Sequence, residues 1–326
     1  MADKIIKILS IDGGGIRGII PALIMDDIEQ RTGQPIASLF DYIAGTSTGG
    51  ILALALTKDR GDGTPQYSAL DALRLYREHG ARIFSRTVWH RIRSVGSLFE
   101  ECYPVDGLET LLDEYFGEAR LKDALSNVIV TSYEIERRIP WFFRSERARL
   151  RPDYDFPIKQ VARATSAAPT YFEPCKILTE DGQDYYALVD GGMFANNPTL
   201  CAYVDAKMAH PDADFLVVSL GTGQLTREFP YDSAVGWGMI EWVQPAINIL
   251  MQGVNETVGF QMQQILPERA DGRRQYYRFQ TPLIEGNDDM DDASRTNMRV
   301  LQLVAEHLIR NNDLALRQLC RDLVTA

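Results

Sequence analysis

Three short stretches of this chain carry residue types that together could run acyl chemistry. Gly45-Thr46-Ser47-Thr48-Gly49 has the Gly-x-Ser-x-Gly form of a nucleophile elbow, in which a sharp strand-to-helix turn lifts a serine hydroxyl to the tip of a sheet. Asp12-Gly13-Gly14-Gly15-Ile16-Arg17-Gly18 follows an apolar run, and three successive glycines can aim backbone N–H groups at one point, as an oxyanion hole requires. Asp190-Gly191-Gly192 places an acid at the end of another apolar run.

Each stretch also has a plainer reading. Ser47 suits a helix N-cap, and Asp190 suits the opening of a glycine turn. The glycine loop could cradle a phosphate, since Gly13, Gly15 and Gly18 satisfy the dinucleotide pattern Gly-x-Gly-x-x-Gly directly after a strand. A dinucleotide site wants an acid at the end of the next strand, about 20 residues on; here Asp41 stands at the start of that strand and its end is the serine elbow. In an open parallel sheet, chemistry gathers at the carboxyl ends of the strands. All three stretches are expected there, which favours one shared site over three unrelated turns.

A serine nucleophile ordinarily needs a histidine, and the chain has four, at 79, 90, 210 and 307. His210 falls in a loop that enters a strand, at the opposite edge from the elbow. His307 lies on a late amphipathic helix, and His79 and His90 sit by an arginine-rich stretch. None is placed between Ser47 and Asp190. The acid itself must then take the serine proton, which calls for a direct contact and a carboxylate made more basic by desolvation.

The elements that must position these residues follow from periodicity. Apolar runs at 4–11, 40–44, 127–135, 184–190 and 214–223 read as strands, with 140–145 pairing with the third as a hairpin. Residues 19–31, the all-apolar ILALAL after Gly50, 106–116 with Asp106 as its cap, 157–168 and 198–209 read as helices. This alternation predicts a three-layer α/β/α sandwich with a mainly parallel central sheet. KDRGDGTPQ at 58–66 is an exposed loop. Beyond about 235 the pattern turns helical, near 293–311 and 312–324, with one strand at 274–280. One domain spanning 1–326 is expected, its motif-bearing core at about 5–225 and the helical part at about 235–326 packed on it.

The chain has 326 residues, 45% of them hydrophobic and 24% charged, and a formal net charge of -11. That balance argues against nucleic acid or an anionic membrane as a charge-driven partner of the whole molecule. Cys102, Cys175, Cys201 and Cys320 are scattered through apolar stretches and read as reduced thiols. The first residues lack the form of a signal peptide, and there is no uncharged apolar run of about 18 residues; a cytoplasmic location is expected. Two arginine-rich stretches stand apart: Arg82, Arg86, Arg91 and Arg93 around Val88 and Trp89, and Arg137, Arg138, Arg144, Arg147, Arg149 and Arg151 around Trp141, Phe142 and Phe143. Solvated faces are the plain reading; contact with anionic lipid headgroups or a small phosphorylated activator is the functional one.

Taken together, the motifs resemble those of the patatin-like phospholipases: DGGGxRG at 12–18, GTSTGG at 45–50 and DGG at 190–192, with ARATSAAPTYFEP at 162–174 and GGMFANNPT at 191–199 also fitting. The resemblance covers about residues 5–225. It implies the three-layer fold and hydrolysis of fatty-acyl esters of membrane lipids, of phospholipase A or lysophospholipase type. The reaction would pass through an acyl-serine without metal or organic cofactor, at a transient membrane contact. By position it implies Ser47 as nucleophile, Asp190 as base, and the N–H groups of Gly13, Gly14 and Gly15 as oxyanion hole. Asp12, Arg17, Gly18, Gly45, Thr48, Gly49, Gly191 and Gly192 support the site, with Arg17 either shaping its loop or meeting a phosphate. An acyltransferase or thioesterase on the same scaffold, a membrane-degrading effector switched on by a nucleotide signal, and a binding or storage protein are the other function classes. Oligomeric state is not legible.

Overall fold

The computed structural model describes residues 5–83, 105–270, 272–284 and 289–325, and only the backbone at 81–83, 105 and 106. His90, Cys102, Val88, Trp89, Arg86, Arg91 and Arg93 lie outside the described residues, as do the side chains of Arg82 and Asp106.

At the centre is β1 (Ile5–Ile11), whose alternating side chains feed two cores. Ile6 and Ile8 join one apolar cluster, while Leu9 and Ile11 join the other, as the two-residue period of a strand requires. Parallel to it run β2 (Tyr42–Thr46) on one side and β7 (Asp214–Leu220) on the other. β3 (Asn127–Glu134) extends the parallel set beyond β2, and β8 (Tyr276–Phe279) extends it beyond β7. The predicted strand at 40–44 therefore starts and ends two residues later. β4 (Ile139–Arg144) forms the expected hairpin with β3, and β5 (Cys175–Leu178) and β6 (Tyr185–Asp190) complete an eight-stranded sheet. No sequence signal had marked β5, which is only four residues long.

Helices cover both faces. On one side pack α1 (Ile19–Thr32), α2 (Thr48–Thr57), α3 (Ala69–Ile83), α4 (Val105–Phe116) and α5 (Ile158–Thr165). On the other pack α6 (Thr199–Ala209) and the 27-residue α7 (Met239–Ile265). α8 (Arg295–Asn311) and α9 (Asp313–Thr325) bury Leu301, Leu308, Leu316 and Leu319 in the same cluster as α1. Every residue of α2 is buried, which is why its sequence shows no polar face. α1 stops at Gly33, whose φ of 67° gives the left-handed cap that glycine adopts without strain. No helix among the described residues is long and apolar enough to cross a membrane.

One expectation needs correction. Asp190 was placed at the carboxyl edge as the end of a parallel strand, but β6 is antiparallel to β3. Ser132–Glu134 of β3 pair with β4 and β6 at once, and Ile129–Thr131 pair with β4 and β2. β2 and β6 therefore lie on the same side of β3 and run head-on, Thr46 opposite Thr131 and Asp190 opposite Ser132. The serine and the acid meet because two strands end facing each other.

The carboxyl end of β1 is fixed from an unexpected quarter. Arg278 of β8 donates from Nη1 to Asp12 Oδ1 at 3.0 Å and from Nη2 to Oδ2 at 2.6 Å, and also reaches Ser219 Oγ at 2.8 Å. Asp12 is fully buried, so the pair satisfies a charge that could not otherwise stay there. Arg278→Met leaves that carboxylate uncompensated and is expected to lower the unfolding free energy by about 3 kcal/mol or more. Urea denaturation checks this, and a loss under ~1 kcal/mol would mean the pair does not hold the strand ends together.

Candidate active site

Ser47 sits at the corner between β2 and α2 with φ 54° and ψ −123°, a conformation that residues other than glycine rarely hold and that clusters at functional sites. Two close approaches force the corner. A Cβ on Gly45 would lie 2.1 Å from the Gly49 carbonyl oxygen, and one on Gly49 would lie 2.2 Å from that of Ile11. The backbone is held from both sides: Ser47 N–H donates to Thr165 Oγ1 at 2.8 Å, and Ile51 N–H donates to the Ser47 carbonyl at 3.0 Å. Thr165 Oγ1 in turn donates to the Thr131 carbonyl at 2.7 Å. The Ser47 side chain makes no capping bond, so the N-cap reading does not account for it.

The glycine loop lies beside this corner; a Cβ on Gly13 would come 3.4 Å from Ser47 Cβ. Its three N–H groups are not equivalent. That of Gly13 is donated to the Asn196 carbonyl at 2.9 Å, so it is committed to the fold. Gly14 and Gly15 N–H find no acceptor among the described residues. Arg17 Nε donates to the Gly14 carbonyl at 3.2 Å and Thr222 Oγ1 to that of Gly13 at 2.6 Å. Arg17 is thereby tied to the backbone of its own loop. Gly15, at φ 58°, passes so near the Met290 carbonyl that a Cβ would stand 2.2 Å from it. Gly18 lets Thr48 and Tyr76 approach; their hydroxyls share a hydrogen bond of 2.5 Å.

Asp190 is buried, with its backbone N–H on the Ala167 carbonyl at 3.0 Å and its Oδ1 accepting from Gly192 N–H at 2.7 Å. Gly191 is required where the two strands abut: a Cβ there would meet Thr131 Oγ1 at 2.1 Å. Burial pushes the Asp190 carboxyl up to about 6, against the opposing pull of hydrogen bonds from the Ser47 hydroxyl and Gly192 N–H.

Ser47 and Asp190 open into one cavity whose walls are mostly apolar, including Ile51, Leu75, Leu108, Phe172, Ile247 and Met251. No lysine, arginine or histidine lines it among the described residues. An apolar cavity with two reactive oxygens at its end suits an acyl chain, not a pyrophosphate. Asp41, the acid a dinucleotide site would need, binds Lys7 N–H at 2.8 Å at the other end of β1. Of the histidines, His79 packs edge-on against Tyr115, His210 reaches the Tyr42 hydroxyl at 3.4 Å, and His307 is exposed.

The second arginine stretch is largely taken up by the fold. Arg137 pairs with Asp184 at 2.6 Å, Arg144 with Asp205, and Arg151 with Asp153 at 2.8 Å. Arg149 donates to Asn127 Oδ1 and to backbone carbonyls, and Arg147 stacks over Tyr154 at 3.5 Å. Sequence reasoning missed Arg278, Thr165, Thr222 and Asn196. A threonine or asparagine that braces a loop from another element carries no local pattern, and only the buried Asp12 hinted that a cation was owed.

A family model described as Patatin-like phospholipase matches residues 9–203, a span that holds all three motifs. Patatin-like protein 4 of Arabidopsis thaliana is 30% identical over 95% of this chain and 84% of its own. Patatin-like protein 2 of Oryza sativa subsp. indica is 33% identical over 95% and 85%. The probable inactive patatin-3-Kuras 1 of Solanum tuberosum is 30% identical over 95% and 87%.

The raised acid has a thermodynamic consequence. Folding favours the protonated form of Asp190, so that contribution is complete below the ordinary value of 3.8 and is lost as pH rises through about 6. Asp190→Asn, which keeps the neutral shape, is expected to stabilise the fold at pH 8 by about 3 kcal/mol, with the gain vanishing below pH ~4. Equilibrium unfolding of both proteins across that range measures it, and a pH-independent difference would show that burial does not raise the acid.

Proposed function

Because the chain belongs to the patatin-like phospholipase family, we propose that it is a lipid acyl hydrolase working through a Ser47–Asp190 dyad. One observation carries the assignment. A serine on a forced corner opens into an apolar cavity beside a buried carboxylate raised to about 6 and a pair of uncommitted backbone N–H groups.

Each group has one task. Asp190, ionised above pH 6, takes the Ser47 proton while Oγ attacks the ester carbonyl carbon. The negative charge that develops on the carbonyl oxygen is received by Gly14 and Gly15 N–H; Gly13, already bonded to Asn196, holds the loop instead of donating to substrate. When the tetrahedral species collapses, the C–O bond to the alcohol breaks and Asp190 returns its proton to the leaving oxygen. Water then attacks the acyl-serine, losing its proton to Asp190. Ser47 Oγ is reprotonated from Asp190 as the fatty acid departs. A carboxylate is a weak base towards a serine hydroxyl, so the N–H donors and the exclusion of water must supply much of the stabilisation.

The apolar wall selects the acyl part of the substrate, and membrane phospholipids supply such chains. The name of the potato relative is a reminder that likeness alone does not carry activity; the site has to.

Release of fatty acid from phosphatidylcholine vesicles is expected to fall about a thousandfold or more in Ser47→Ala and in Asp190→Asn. With a soluble short-chain ester, kcat/KM should rise about tenfold per pH unit below 6 and level off above ~7, as one carboxyl loses its proton. Activity that survives both substitutions would sink the dyad. Transfer of the acyl group to an added alcohol or thiol, with little free acid, would make the enzyme a transferase.

A further inference from the structure

Apolar residues cover most of the circumference of α7 in its first four turns, with Glu241, Gln244, Asn248 and Gln252 confined to one stripe. The side turned to the protein carries Ile247 and Met251, which line the cavity that holds Ser47, and then buried Asn255 and Met262. The adjoining flank carries Met239, Trp242, Val243 and Leu250, spaced at helical intervals, with Met239 87% and Leu250 52% exposed. Ile240 and, just before the helix, Tyr231 and Val235 are exposed as well. Trp237 and Trp242 stand edge to face with ring centres 5.0 Å apart. An exposed apolar patch of this continuity marks a surface that is covered in use.

Charge says what covers it. From 231 to 265 there is no lysine or arginine, only Asp232, Glu241 and Glu256. An anionic surface would be repelled, as would an acidic peptide. The whole molecule, at -11, adds to that repulsion. Tryptophan and tyrosine beside aliphatic residues are what settles at the boundary between headgroups and acyl chains. Val243 and Leu250 lie four and three residues from Ile247, so the patch runs directly into the side of α7 that lines the cavity.

We propose that the exposed face of α7, together with Tyr231 and Val235, is the surface by which this protein docks on a neutral, zwitterionic lipid bilayer. The inference rests on the lipid-hydrolase reading for its substrate. Docking is apolar in origin, so it is insensitive to salt and weaker on anionic lipid. The arginine stretch at 137–151, most of whose side chains bind the protein's own acids and carbonyls, takes no part.

Flotation with phosphatidylcholine vesicles tests it, using wild type, Ser47→Ala and the double variant Met239→Asp/Val243→Asp. Wild type and Ser47→Ala should bind alike, with a blue-shifted tryptophan emission, and still bind at about 0.5 M salt, where surface charges are screened. The double variant should bind at least about tenfold more weakly, since two apolar groups no longer leave water. Its hydrolysis of a soluble short-chain ester should stay within about twofold of wild type, and its thermal midpoint should be unchanged, because both side chains are solvent-facing. Equal binding by the double variant, binding that salt abolishes, or a wild-type dimer that the variant converts to monomer without vesicle binding would each overturn the proposal. If wild type binds, the variant does not, and neither cleaves any ester, the docking surface stands and the hydrolase reading falls.

Discussion

Two strands ending head-on against a third are what the rest of the site depends on. β2 and β6 share one side of β3 and stop where Thr131 gives way to Ser132. That leaves Ser47, the next residue of one chain segment, facing Asp190, the last residue of the other. Such an abutment is crowded. Thr46 Oγ1 bonds Thr131 Oγ1 at 2.7 Å across it, and a Cβ on Gly191 would meet Thr131 Oγ1 at 2.1 Å. Gly45 and Gly49 serve the same end one turn further on, where α2 leaves the sheet over the tip of β1. The glycines are therefore packing residues first, and the strained Ser47 backbone follows from them.

The same crowding tunes the acid. Because β6 comes in over the end of β2 and the 192–195 turn closes behind it, Asp190 is shut off from water. Desolvation raises its carboxyl, and a more basic carboxylate is what a dyad without an intervening imidazole needs. Desolvation also costs stability at neutral pH. With Asp190 as the proposed base, the cost and the function share one cause, a frequent arrangement where a buried charge is kept for chemistry.

Much of this was legible in the residues. The elbow, the glycine loop and the acid turn each have a local pattern, and Ser47 between an apolar strand and an all-apolar helix fixed its context. What sequence could not convey is direction and partnership. A strand of six residues reads the same whether it runs up or down, so the antiparallel course of β6 that brings Asp190 to Ser47 carries no sequence signal. Gly13 looks identical to Gly14 and Gly15 until the Asn196 carbonyl is seen at its N–H. Arg278 lies 266 positions from Asp12, far outside any window of periodicity. α3 at 69–83 went unmarked although strongly amphipathic. The arginines at 137–151 illustrate the reverse: a dense charge pattern in sequence that the fold spends largely on its own carboxylates and carbonyls.

α7 joins the two halves of the problem. Its Asn255 accepts from Asn196 Nδ2 at 3.1 Å, and that same Nδ2 reaches the Gly13 carbonyl at 3.4 Å. The Asn196 carbonyl in turn holds Gly13 N–H. An unbroken chain of amides thus runs from the middle of α7 to the loop whose next two N–H groups have no acceptor among the described residues. Amide bonds of this kind are short-ranged and directional, so the loop's position is tied to that of the helix. One helix consequently lines the apolar cavity, presents apolar residues to the outside and braces the glycine loop. A helix placed by packing alone would need only the first of these. The three together tie the exposed apolar face of α7, the cavity and the glycine loop to one rigid element.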